Sequence, residues 1–172
     1  MAIDSAPDCT DVSGSPVTTD QRGVARPDGL GEAACDIGAF EFADETLFAS
    51  FTAKLSLDPS DGAFDLSSRF TLGATTNGID PLVEPVSLAI GSYSITFAPG
   101  SFKKNKKGVY VFDGAIDGVE LNVRISPLGG NSYWFQASGE GAKLKGIKNP
   151  VTVTLTIVGD LGSVVVHAKF ED

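Results

Sequence analysis

The chain contains one histidine, one tryptophan, one methionine and two cysteines in 172 residues. So few thiolate and imidazole ligands exclude a zinc centre of the usual four-ligand kind. No serine or cysteine motif stands beside the single histidine, His167, so nothing points to a catalytic triad. Positive charge is also scarce. Thirteen basic residues against 22 acidic ones leave a net charge of −9, which argues against general nucleic-acid binding, because a duplex partner needs a basic footprint. No run of 18 apolar residues occurs, so no membrane-spanning helix is expected. The opening residues, MAIDSAPDC, have neither the basic start nor the apolar stretch of a secretory leader. No stretch shows a 3.6-residue apolar period, which limits helices to single turns.

What remains is β-forming material. Hydrophobic residues make up 42% of the chain and charged ones 20%, with 20 glycines. That balance belongs to a folded domain, and the length suits one domain with a small appendage. From Leu47 onward the pattern has period 2. Phe51, Ala53, Leu55 and Leu57 alternate with Thr52, Lys54, Ser56 and Asp58, and the same alternation returns through Phe64, Val86, Tyr93, Leu121, Val151 and Val164. Asp117-Gly118, between two apolar runs, is a strong two-residue hairpin signal, because a type I′ turn needs positive φ at both central residues. These features predict an all-β domain over residues 46–172, an antiparallel β-sandwich of eight or nine strands, with a closed barrel as the alternative. Seven of the 13 basic residues fall in two short clusters, Lys103, Lys104, Lys106 and Lys107, then Lys143, Lys145 and Lys148. Both read as solvated turns that discourage edge-to-edge association.

Residues 1–45 differ in character. Pro7, Pro16, Pro27, several glycines and both cysteines predict an irregular segment with one or two short strands, packed on the main domain. Cys9 and Cys35 fit an oxidised bridge there, which would contribute about 3 kcal/mol through chain entropy. An oxidised bridge without a leader is expected only if the chain is part of a longer exported protein.

The string AID (Ala2, Ile3, Asp4), then TDQRG (Thr19 to Gly23), Arg26-Pro27 and CDIGAFE (Cys35 to Glu41) resembles the closing segment of bacterial exported right-handed parallel β-helix proteins, of the choice-of-anchor Q type. The resemblance covers residues 1–42 only. It implies a cap at the end of an upstream β-helix in a parent chain, an extracellular or cell-surface setting, and an all-β module of unknown activity after it. A β-helix end must have its open edge covered. Arg22 and Arg26 then suit structural clamps on Asp20, Asp36 or Glu41, since guanidinium forks pair bidentately with carboxylates. A carboxylate–arginine active site is the functional alternative.

Candidate chemistry is sparse in the main domain. His167 is expected on the outward face of the last strand. Asp58, Asp61 and Asp65 flank a glycine turn, and Asp80 and Glu84 share the loop NGIDPLVEP. Oxygen-rich loops of this kind could take calcium, although the spacing matches no EF-hand and solvated turns explain it as well. No cofactor other than such an ion is implied. Asp113, on one strand face with Val109 and Val111, is expected to be partly buried with a raised pKa. Trp134 is expected to point outward with Gln136 as a platform for a sugar ring, or else to cover the seam with residues 1–45. The leading expectation is a non-catalytic extracellular module for display, adhesion or contact with a glycan or cell-surface polymer. The alternative is a hydrolase using Asp113, Asp80 and Glu84. Self-association through sheet edges is a third possibility.

Overall fold

The computed structural model describes residues 2–6, 15–18, 35–37 and 46–171, with the backbone alone described for 2–6 and 35–37. The chain divides into two compact units, Met1–Glu45 and Thr46–Asp172. In the first, β1 (Ala2–Ala6) pairs antiparallel with β2 (Cys35–Ile37), Ala2 opposite Ile37. The AID and CDI strings, 30 residues apart in the chain, therefore lie side by side as strands. The Cys9–Cys35 bridge and the clamps assigned to Asp20, Arg22, Arg26, Asp36 and Glu41 lie outside the described residues and side chains.

The second unit is all-β, with no helix among its described residues. In chain order come β3 (Thr46–Leu47), β4 (Ser50–Asp58), β5 (Ala63–Thr71), β6 (Val86–Ile90), β7 (Tyr93–Phe97) and β8 (Lys103–Lys104). They are followed by β9 (Tyr110–Ile116), β10 (Val119–Gly129), β11 (Ser132–Glu140), β12 (Val151–Ile157), β13 (Asp160–Val166) and β14 (Lys169–Phe170). One sheet has seven strands in the order β14-β4-β5-β11-β10-β9-β8, the other five in the order β3-β13-β12-β6-β7. The two pack face to face as an open sandwich; neither closes into a barrel. The strand number exceeds the eight or nine expected because β3, β8 and β14 are two-residue pieces too short to leave a sequence pattern. The sheets are also mixed rather than purely antiparallel, since β3 runs parallel to β13 and β14 parallel to β4.

The period-2 pattern accounts for the layers, because successive strand side chains point to opposite faces. Leu121, Val123 and Ile125 are buried on β10, while Glu120 and Arg124 are exposed. Phe48 stacks on Phe70 at 4.6 Å and Phe70 on Tyr133 at 5.2 Å; further along, Phe97 meets Phe112 edge-on at 5.0 Å. Such rings contribute most to a core, about 1.5–3 kcal/mol for each fully buried side chain. Gly139 belongs to this interface: a Cβ there would run into the Phe64 ring and Leu121. Asp117 and Gly118 adopt φ of 51° and 81°, the paired positive values of the expected turn between β9 and β10.

The edges differ in length. Lys103 and Lys104 form the edge strand β8 itself, and β3 and β14 are equally short, which leaves little backbone to template another chain. The β7 edge is the long one, five residues with Ser94 and Thr96 exposed.

Candidate functional site

The outer face of the seven-stranded sheet carries the only tryptophan, and the pairing register arranges its side chains in cross-strand rows. One row reads Thr52, Arg69, Trp134, Ser126 across β4, β5, β11 and β10. The next reads Lys54, Ser67, Gln136, Arg124, Val111, Lys103 from β4 to β8. A third holds Lys169, Ser56, Asp65, Ser138, Asn122 and Asp113, running from β14 to β9. Beyond it lie Asp58, Glu140 and Glu120. Charge is segregated along the strands: the two rows nearest Trp134 hold four cations and no acid, and the acids begin with the third row.

Trp134 points outward, as the alternation on β11 requires once Phe135 and Ala137 are buried. It does not stand free. Its indole Nε1 donates to Ser67 Oγ at 3.0 Å, and Ser67 lies on the neighbouring strand opposite Gln136, two positions along from Trp134's own partner. The indole therefore leans across β5 and is half-buried against the sheet, held by a bond within the second unit. Gln136 lies between Ser67 and Arg124 in the adjacent row. Ser67, Lys54 and Asp65 continue into an open depression of about 600 Å³ shared with Val166, His167 and Lys169. His167 is exposed as expected, but in the short connection from β13 to β14 rather than on a strand.

The expectation for Asp113 is corrected. Val109 and Val111 do share its face, but that face is the outer one: Tyr110 is buried and Phe112, Gly114 and Ile116 turn inward, leaving Asp113 exposed opposite Asn122. The turn acids are occupied locally. Asp58 Oδ1 accepts hydrogen bonds from the Ser60 hydroxyl and from the amides of Ser60 and Asp61, and these, the hydroxyl first, hold its carboxyl below the usual range. Asp58 and Asp65 line a smaller depression with Glu171. Among the described residues, no three His, Cys, Asp or Glu side chains are placed together as a metal-binding group.

A second arrangement gathers acids where the loop after β5 meets β13. Asp80 and Glu84 do come together: the Asp80 amide donates to Glu84 Oε2 at 2.6 Å, and Asp80 Oδ1 accepts from the Leu82 amide at 3.2 Å. Sequence reasoning missed their neighbour, Asp160. Only 4% exposed, it accepts one hydrogen bond, from Thr76 Oγ1 to Oδ2 at 2.9 Å, and its buried Oδ1 has no partner. Burial raises the Asp160 carboxyl above its usual range against the opposing pull of the Thr76 hydroxyl. Burial likewise raises Glu84; the Asp80 amide opposes this, while the charges of Asp80 and Asp160 add to it. Two carboxyls with raised affinity for protons, Glu84 lying in the field of Asp160, can hold and deliver a proton. No sequence signal marked Asp160, since VGDLG reads as an ordinary turn.

No protein-family model, no curated protein and no solved structure matches this chain. No helix among the described residues is long and apolar enough to cross a membrane.

Proposed function

We propose that this chain is a non-catalytic extracellular or cell-surface module that contacts a glycan or similar surface polymer through the outer face of its seven-stranded sheet. The observation that carries the reading is Trp134: an aromatic plane held by Ser67 on an outward sheet face, amid hydrogen-bonding side chains that include Gln136, Ser126 and Asn122. Sugar rings offer an apolar face and a rim of hydroxyls, and an indole bordered by polar groups complements both. The exported setting and the parent β-helix rest on the resemblance of residues 1–42. Pull-down on immobilised polysaccharides, or a glycan array, tests the reading: retention of the wild type and its loss in Trp134→Ala support it, and failure to retain any glycan removes it.

A second reading is favoured by the Asp160–Glu84 pair, whose carboxyls both bind protons more tightly than usual. In it the chain is a carboxylate hydrolase, with Asp160 and Glu84 rather than Asp113 in the acid and base roles. A broad hydrolase panel, run with and without chelator, separates the two: turnover abolished by Asp160→Asn would favour the enzyme.

A further inference from the structure

We infer that the polymer this face takes is an acidic polysaccharide, one whose repeating units carry carboxylate or sulfate groups; the inference rests on the glycan reading and names its ligand class. The second unit has two arginines, Arg69 and Arg124, and both lie on this face within one row of the only tryptophan. Arg69 is the direct cross-strand partner of Trp134, and Arg124 is diagonal to it, opposite Gln136. Lys54 and Lys103 complete the two rows, in which no acid occurs. On a chain of net −9 these two rows hold no acid, whereas the next ones hold Asp65, Asp113, Asp58, Glu140 and Glu120 with Lys169 as their one cation.

The cations are also unspent. Among the described residues neither guanidinium makes a hydrogen bond, an ion pair or a ring contact, and Lys54 and Lys103 likewise have no such partner. Arg69 therefore does not cover the indole it adjoins. Free guanidinium forks suit carboxylate and sulfate, which they can grip through two parallel N–H···O bonds. A ring laid on Trp134 would place its substituents between the two forks. Strands about 4.8 Å apart give the row from Lys54 on β4 to Lys103 on β8 a length of about 24 Å, enough for a chain rather than a single sugar. That path passes Ser67 and Lys54 at the near side of the depression, whose far side holds Asp65 together with His167 and Lys169. Beyond it the acidic rows repel the same polymer and so fix its track. Single-stranded nucleic acid would also use arginines and an aromatic, but it stacks successive bases on successive platforms, and these rows hold one aromatic.

Because Trp134 is the only tryptophan, its fluorescence reports the site directly. The full chain is titrated with dextran sulfate and polygalacturonate as anionic probes, with unmodified dextran as the neutral probe and with oligothymidylate. The expected result is binding of the anionic polysaccharides that weakens as salt rises from about 50 to about 500 mM. Arg69→Gln/Arg124→Gln is expected to lose at least about tenfold in that affinity while keeping its circular dichroism, because two charge-assisted contacts are removed. Lys145→Gln, in the exposed loop before β12, is expected to bind as wild type. Equal binding of dextran and dextran sulfate, or an unaffected double variant, overturns the acidic class and leaves the glycan reading standing. Binding to no polysaccharide in the titration or in the array removes both. Preference for oligothymidylate overturns the inference in favour of nucleic acid.

Discussion

Asp160→Asn is expected to make the protein more stable at neutral pH and to leave it nearly unchanged in acid. Asp160 is 4% exposed; Thr76 satisfies Oδ2 and nothing satisfies Oδ1. An unsatisfied buried polar group costs about 1–3 kcal/mol, and a charged one costs more. Asparagine keeps an oxygen for the Thr76 hydroxyl and removes the charge, while its NH2 still lacks a partner where Oδ1 lies. The gain near pH 7 is therefore only the excess cost of the charge, about 1 kcal/mol. For a chain of this length that is about 2–4 °C in Tm per kcal/mol. The sign follows from the raised carboxyl. A group whose folded pKa exceeds its unfolded value contributes stability that is fully present below the unfolded pKa, near 3.8, and is lost as pH rises through the folded one. The difference between variant and wild type should thus be near zero around pH 3.5, grow as the pH passes upward through the raised pKa, and then level off. Urea melts at half-unit pH steps measure it, and taking the difference cancels groups common to both proteins, including Asp58, whose lowered pKa has the opposite sign. Glu84 does not cancel fully, because it loses a neighbouring charge; its own relief adds in the same direction. A difference that is flat with pH, or a variant destabilised at pH 7, would refute the account of Asp160 as a buried carboxylate lacking a partner.

Other outcomes are equally specific. Phe135→Ala, at a fully buried ring position, should cost about 3–5 kcal/mol in chemical denaturation. Gly139→Ala forces a methyl against the Phe64 ring and Leu121 and should cost about 1–3 kcal/mol, part of which Phe64→Leu should restore. Ser67→Ala removes the acceptor of the indole N–H and should cost about 0.5–1.5 kcal/mol; it should also shift the tryptophan emission maximum, and an unchanged spectrum would mean that the bond does not hold the ring.

The facing of the strands was legible because burial follows parity. Leu121, Val123 and Ile125 could be placed inside and Arg124 outside by counting alone, and Asp117-Gly118 declared its turn. Parity fixes which residues share a face only once the inward set is known. On β9 the continuous run of valines and aromatics hid that set, so Asp113 was placed with the wrong environment. Strand order was not legible at all. Arg69 and Trp134 are 65 residues apart and become neighbours only because β5 pairs with β11, a choice made by long-range packing. The same holds for Asp160, which lies under a loop that follows β5, and whose burial no local pattern could announce.

The parallel pairing of β14 with β4 has a mechanical meaning. The chain enters this ladder at the start of β4 and leaves it beyond the end of β14, at opposite ends of hydrogen bonds formed around Ser56–Lys169 and Leu57–Phe170 and extended by the Glu171 amide to the Leu57 carbonyl. Tension applied to the two ends of the unit runs along these strands and shears the bonds together, where a hairpin pulled from its open end would give way one bond at a time. At the other sheet β3 joins β13 in the same parallel sense, so the entering chain meets a second clasp of the same kind.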